Sequence, residues 1–274
     1  LEEHMDLRPI ICAALASLGA ACTTTTTTTV SNDGSSTITN ERSSKKVTEA
    51  DLRHRARART DLAAGYYRNG QLAVALDEAR RAAAMDPNYA EAYGLLGLIY
   101  MDMNEKREAE ENFQRALKLD PTNSELNNNY GYFLCHTGRE RESIEYFNQA
   151  IRDPLYRTPA RANQNAGACL MRIKDYAGAE RYLRRSFELD AGMAVPKFLL
   201  AQLYLATNQV DKATFYYNVL AKSIESSAES IWLGVRVARA NADLRTETQL
   251  ANELKQRFPQ SPEAAALARG DFNE

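Results

Sequence analysis

Two cysteines and one histidine are the residues of this sequence whose types and spacing could carry covalent chemistry. Cys135 is followed directly by His136, and a thiol beside an imidazole is a pairing that can activate a nucleophile. Neighbouring residues of a helix point about 100° apart, so these two side chains do not face each other if the segment is helical. Cys169 follows 34 positions later. A disulfide between the two cysteines is one alternative to a nucleophile, and two buried free thiols are the other.

Motifs that would support an enzyme do not accompany these residues. The sequence contains no H-E-x-x-H, no G-x-S-x-G, no P-loop and no dinucleotide fingerprint. The run Glu108, Glu110 and Glu111 is typical of a solvated helix face. We therefore expect a protein that is not an enzyme and that uses no metal, no cofactor and no small-molecule substrate.

The elements that must position the cysteines recur with a period of 34 residues, apart from two extra residues between the third and fourth rows. Equivalent positions of the six rows are Arg59, Tyr93, Asn127, Asn163, Lys197 and Ile231. The second row follows the spacing W-x2-L-G-x2-Y…A-x3-F…P with Tyr93, Leu96, Gly97, Tyr100, Ala109, Phe113, Ala116 and Pro121. This pattern resembles the tetratricopeptide repeat, in which each unit consists of two antiparallel helices.

The resemblance implies an all-α protein: a right-handed superhelix of six helical hairpins, each with a first helix A and a second helix B. A small residue recurs in helix A where helix B must approach closely, at Gly97, Gly131, Gly167 and Ala201. Proline after the last turn ends several B helices, as at Asp120-Pro121. The expected units are 56–89, 90–123, 124–159, 160–193, 194–227 and 228–262, followed by a C-terminal tail at 263–274.

The repeat gives the cysteines a geometric relation. Cys135 is position 12 of its helix A and Cys169 is position 10 of the next, so the two lie on opposite faces of an average helix A. Neighbouring parallel A helices can therefore point the two thiols at each other, at heights that differ by about 3 Å. In an oxidising compartment such a bond persists. We predict a Cys135–Cys169 disulfide, with buried free thiols as the alternative.

A row of helix A positions predicts a partner-binding groove, because these positions line the inner surface in the repeat family. The row comprises Leu98, Met101, Asn128, Tyr132, Met171, Phe198, Gln202 and Leu205. Large apolar side chains with a few amides suit an extended peptide or a helix. In the alternative, a tight superhelix buries these side chains against the next helix A. For the run Asn127 to Asn129, hydrogen bonding to a peptide and hydrogen bonding within the fold both stay open.

The first 55 residues have a different composition. Residues 1–4 are expected to be a cloning remnant and residues 5–21 a signal peptide with a short apolar stretch. Small residues lead into Cys22, which resembles the lipidated cysteine of a bacterial lipoprotein; a plain secretory signal is the alternative. A Thr- and Ser-rich segment follows, and we expect residues 22–55 to form a disordered tether from the lipid anchor to the repeats.

Composition restricts the choice of partner. The formal net charge is −2, with 44% apolar and 26% charged residues. Nucleic-acid binding requires a basic stripe that neutralises phosphates, and this balance gives no reason to expect one. No apolar run reaches the ~18 residues of a membrane-spanning helix. A soluble repeat domain that binds another protein fits this composition.

The third repeat contains a segment that resembles one particular family of tetratricopeptide proteins. Residues 126–135, LNNNYGYFLC, resemble the L-N-N-Y-G-x-F-L-C segment of the PilF/PilW family, the tetratricopeptide lipoproteins of type IV pilus biogenesis. Segments 233–238 and 254–259 are also similar to that family. This chain departs from the family in one additional Asn and in Leu18, which lies four rather than three residues before Cys22.

The family resemblance implies an outer-membrane lipoprotein that faces the periplasm. Such a protein acts as a pilotin, which brings the pilus secretin to the outer membrane and lets it form multimers, or it acts in the stability and function of the pilus fibre. The expected partner is thus the secretin or another pilus assembly protein. A periplasmic adaptor for cell-wall synthases or hydrolases, and an unlipidated periplasmic chaperone, are the rival interpretations.

Overall fold

The computed structural model of the protein describes residues 24–30, 36–42 and 48–272. Its helices are α1 Glu49–Arg68, α2 Leu72–Met85, α3 Ala90–Asp102, α4 Lys106–Leu119, α5 Ser124–His136, α6 Glu140–Arg152, α7 Pro159–Arg172, α8 Tyr176–Leu189, α9 Ala194–Ala206, α10 Val210–Ala221, α11 Ala228–Ala240, α12 Leu244–Arg257 and α13 Pro262–Arg269. The first twelve form six antiparallel hairpins, so residues 49–257 form an all-α solenoid, as the 34-residue period predicts. None of the described helices is both long and apolar enough to cross a membrane.

Each hairpin turns from helix A to helix B through one residue with a left-handed backbone. These residues are Gly70, Asn104, Gly138, Lys174, Asn208 and Ala242. Their spacing follows the repeat, because left-handed backbone closes the turn at the same place in every unit. The two extra residues lie in the connection between α6 and α7, which spans 153–158, whereas the connection between α4 and α5 spans only 120–123. The insertion thus lengthens a loop and leaves the helices intact.

Close approach of helices A and B depends on the small residues of helix A. A Cβ atom placed on Gly97 would lie 2.7 Å from the ring of Phe113, and one placed on Gly167 would lie 2.5 Å from Leu183. Both distances are shorter than a van der Waals contact, so a larger residue would push helix B away. The packing therefore explains why the period carries Gly or Ala at this position.

The core lies between the two helices of a hairpin and the first helix of the next. Phe113 of α4 packs between Tyr130 and Phe133 of α5, with ring centroids 5.8 and 5.5 Å away. All three side chains are buried. Full burial of one such side chain contributes roughly 1.5–3 kcal/mol, so stacking of neighbouring units, and not any single hairpin, stabilises the solenoid.

The C-terminal segment differs from the tail predicted at 263–274, because it forms helix α13. Ser261 caps this helix by accepting a hydrogen bond from the amide of Ala264 at 3.0 Å, Pro262 occupies its first turn, and Gly270 ends it with a left-handed backbone. Ala264 and Ala266 pack in one cluster with Trp232 of α11. Helix α13 thus covers apolar surface of the last hairpin, as terminal caps of repeat proteins do.

The N-terminal segment also differs from prediction. Strands β1 Thr24–Val30 and β2 Ser36–Arg42 form an antiparallel pair, and α1 begins at Glu49, seven residues before the predicted start of the first unit. Both strands lie inside the segment 22–55 for which we expected a disordered tether. Threonine is β-branched and favours strands, a preference that the compositional argument neglected. The predicted signal peptide and Cys22 lie outside the described residues.

Candidate partner-binding surface

The predicted groove residues lie on four successive A helices. Seven of the eight keep part of their surface exposed, and Tyr132 is the most exposed at 38%. We call this surface the A-helix face; it comprises Leu98 and Met101 of α3, Tyr132 of α5, Met171 of α7, and Phe198, Gln202 and Leu205 of α9. The arrangement leaves a row of apolar side chains accessible to a partner, which the tight-superhelix alternative would not.

Asn128 does not belong to this face, and its assignment as a groove residue is wrong. Only 2% of Asn128 is exposed. Its side-chain amide donates to Oδ1 of Asn129 at 3.2 Å, and its own Oδ1 accepts from Asn165 of α7 at 3.1 Å. Asn127 is equally buried and donates to the carbonyl of Asn123 at 2.9 Å. The asparagines therefore bond within α5 and between neighbouring A helices, which is the structural alternative.

The two cysteines join α5 to α7. Cys135 and Cys169 form a disulfide with their Cα atoms 5.8 Å apart, and both are buried. The hydroxyl of Ser143 lies 3.2 Å from Sγ of Cys169. The ring of His136 lies against Tyr132, with centroids 4.0 Å apart and planes tilted by 38°, and its Nδ1 lies 2.9 Å from the carbonyl oxygen of Tyr132. The disulfide thus links two repeats covalently, and neither of these two cysteines carries a free thiol.

A tyrosine contacts the A-helix face near its N-terminal end. Tyr67 of α1 hydrogen-bonds to Asp102 of α3, next to Met101. Burial, followed by this bond to a carboxylate and by the charge of Asp102, raises the pKa of Tyr67 well above its usual value. The phenol therefore stays protonated and ties the first helix A to the second. The accessible row begins beyond this contact, at Leu98 and Met101.

The C-terminal part of the face opens into a cavity of about 310 Å³, which we call the C-terminal pocket. Its lining includes Phe198 and Gln202 of α9, Trp232 and Arg236 of α11, and Glu263 of α13. Trp232 and Arg236 occupy, one repeat later, the positions of Phe198 and Gln202, so the period itself could have pointed to them. Glu263 could not be found this way, because α13 lies outside the repeats.

Arg236 is the cation of this pocket. In the described part of the chain it has neither a hydrogen-bond nor an ion-pair partner, and burial lowers its pKa. Glu229 also lines the pocket but is engaged elsewhere: hydrogen bonds from its own backbone amide and from the hydroxyl of Ser227 hold the pKa of its carboxyl below the usual range. The pocket thus combines an aromatic wall with a guanidinium that is available to an acceptor.

Comparison with known proteins identifies the same repeat that the helical hairpins show. The tetratricopeptide repeat family matches residues 60–105, 90–123, 112–145 and 170–228. These matches cover hairpins from both halves of the solenoid. They identify the repeat and do not by themselves distinguish one repeat protein from another.

Individual relatives are more specific. The chain is 30% identical over 202 residues to "Type IV pilus assembly protein PilF" of Pseudomonas aeruginosa, covering 74% of this chain and 80% of the relative. The crystal structure of PilW, described as a widely conserved type IV pilus biogenesis factor, matches with a TM-score of 0.74 and 30% identity over 78% of this chain and 98% of PilW. The structure of Pseudomonas aeruginosa PilF matches with a TM-score of 0.73 and 27% identity over 81% of this chain and 99% of PilF. The chain therefore belongs to the PilF/PilW family of tetratricopeptide-repeat proteins.

Proposed function

We propose that this protein is a non-enzymatic scaffold of type IV pilus biogenesis, anchored by lipid to the periplasmic side of the outer membrane, that binds a component of the pilus machinery through its A-helix face. The relatives named as pilus assembly and biogenesis proteins support the pathway. The observation that carries the binding role is the accessible apolar row that runs over α3, α5, α7 and α9.

The A-helix face suits an extended segment or a helix of the partner. Its apolar anchors lie on successive A helices, so an occupant that runs along the solenoid contacts several repeats at once. Met101 and Met171 add side chains that adapt their shape to an occupant. Each apolar anchor that becomes fully buried would contribute roughly 1.5–3 kcal/mol before the costs of association.

The lipid anchor would place this face at the membrane where the pilus secretin must assemble. Cys22 would carry the acyl chains. More than one chain is required, because a single chain gives only marginal membrane binding. A Cys22→Ala variant should therefore move from the membrane fraction to the soluble periplasmic fraction. If Cys22→Ala leaves the protein in the membrane fraction, the lipid anchor is wrong.

A pair of methionines provides a matched test of the binding face. Met101 belongs to the A-helix face, whereas Met103 lies two residues later at the end of α3 and is 39% exposed. In a strain that lacks the protein, Met101→Glu should fail to restore pilus assembly at normal protein levels, because it places a charge in the apolar row. Met103→Glu should restore it. Equal complementation by both variants would exclude the A-helix face as the binding surface.

Secretin multimers distinguish the two pilus roles. If the protein acts as a pilotin, its deletion should abolish the heat-resistant secretin multimers seen on a gel, and Met101→Glu should reproduce that loss. If multimers stay normal while pili are defective, the partner belongs to the fibre and its stability. Normal multimers and normal pili after deletion would refute both roles.

A further inference from the structure

The C-terminal pocket differs from the rest of the A-helix face because it carries an unpaired charge. Three other arginines that lie near A-helix residues are paired with carboxylates: Arg139 with Glu110 and Glu142, Arg172 with Glu140, and Arg239 with Glu247. Arg236 has none among the described residues, although part of its side chain is buried. Desolvation of a guanidinium costs free energy that a bound anion would recover.

We propose that the C-terminal pocket binds a carboxylate-bearing peptide segment, with the carboxylate on Arg236 and the adjacent apolar side chain between Phe198 and Trp232. The inference rests on the proposed function, because it names the chemistry of a partner segment at one end of the same face. A guanidinium presents two parallel N–H donors that match a carboxylate, so Arg236 can hold it with two hydrogen bonds.

The remaining side chains of the pocket favour a peptide as the source of the anion. Glu229 and Glu263 line the same cavity, so a phosphate-dense surface, with its many charges, would be repelled far more strongly than a single carboxylate held on Arg236. A peptide instead supplies N–H donors, which the carboxylate of Glu263 can accept. The volume of about 310 Å³ lies at the lower end of ligand pockets and accommodates one or two side chains.

The sequence supplies its own reporter for this pocket. Trp232 is the only tryptophan of the chain, and it lines the cavity beside Arg236. Its indole ring also stacks on Phe272, with centroids 5.3 Å apart. A change in tryptophan fluorescence on addition of a peptide therefore reports on the surroundings of Trp232, and dependence of the change on Arg236 assigns it to the C-terminal pocket.

Three short peptides test the proposal by titration against the purified full chain. The first is N-acetyl-Gly-Leu-Phe with a free α-carboxylate, the second is the same peptide as its C-terminal amide, and the third is N-acetyl-Gly-Asp-Phe amide, whose only carboxylate is on a side chain. We expect at least one carboxylate peptide to bind about tenfold more tightly than the amide without a carboxylate, the effect of one charge-assisted hydrogen bond. The first or third peptide, whichever binds, identifies a chain end or an acidic side chain as the source.

Variants show whether the discrimination depends on Arg236. Arg236→Gln should bind carboxylate and amide peptides equally. Arg236→Lys keeps the charge but loses the two parallel N–H donors, so it should retain part of the preference for carboxylate peptides. Arg245→Gln, an exposed position of α12 outside the pocket, should keep the full tenfold preference. If Arg236→Gln does not fold, Arg236→Lys carries the comparison.

Two results would overturn the proposal. One is equal binding of carboxylate and amide peptides by the unaltered protein, and the other is no saturable fluorescence change with any of the three. Either failure is distinguishable from failure of the proposed function, because Met101→Glu and Met103→Glu are compared by pilus assembly in cells and do not depend on the pocket.

Discussion

Loss of the Cys135–Cys169 disulfide should destabilise the solenoid by a calculable amount. The bond closes a loop with a sequence separation of 34 residues. In the chain-entropy description, a loop of this length lowers the entropy of the unfolded state by an amount worth about 4 kcal/mol at 25 °C. Unfolded chains keep some residual structure, which reduces the entropy that a cross-link removes, so we expect a loss of about 2–4 kcal/mol.

The assay is urea unfolding followed by far-ultraviolet circular dichroism, with and without reductant. The double variant Cys135→Ala/Cys169→Ala serves as the control, because reductant should not change its transition. For the unaltered protein, reductant should lower the midpoint by about 1 M or more, given slopes of roughly 1–3 kcal/mol per M. Mass mapping of peptides beforehand establishes that the two cysteines are linked. An identical midpoint in both conditions, or alkylation of both thiols without reductant, would refute the reasoning.

The remaining predictions concern packing and acid stability. Gly131→Ala should lower the free energy of unfolding by about 1–3 kcal/mol, because its Cβ atom would lie 2.9 Å from the ring of Phe147. Gly65→Ala, in a helix with open space around it, should instead raise it by up to about 1 kcal/mol, and equal melting temperatures of the two variants would contradict the packing account. Although burial alone raises the pKa of Asp86, its hydrogen bonds with Arg53 and a backbone amide hold that pKa below the usual value. The stabilisation is therefore present above the ordinary carboxyl pKa of about 4 and is lost as pH falls further. Asp86→Asn should show a weaker loss of stability between pH 5 and pH 2, and an unchanged pH profile would exclude this pair as a source of acid sensitivity.

The repeat architecture could be predicted from sequence because close helix packing requires small residues at regularly spaced positions. Gly97 and Gly167 recur where helix B approaches, and the left-handed residues recur at the turn. The Cys135–Cys169 disulfide could be predicted from the same repeat, because the period determines which faces of neighbouring A helices meet. Much of the A-helix face was accessible to the same reasoning.

Other features depend on contacts that no period describes. Asn128 occupies a groove position in the repeat, yet it is buried and accepts a hydrogen bond from Asn165 of the next helix A. Helix α13 was missed because its eight residues follow the last repeat, although Ser261, Pro262 and Gly270 are ordinary signals for the start and end of a helix. Arg236 could be aligned with Gln202, but its lack of a partner is visible only in three dimensions.

The central claim is that the A-helix face, and not the outer B helices, binds a pilus-assembly component. Photo-crosslinking in cells tests this most directly, with a photoreactive amino acid placed at Met101 or Met171 on the face and at Arg184, an exposed position of the B helix α8. The account predicts that one pilus-assembly protein is crosslinked from both methionine positions and not from Arg184. Crosslinking of that protein from Arg184 alone would contradict it.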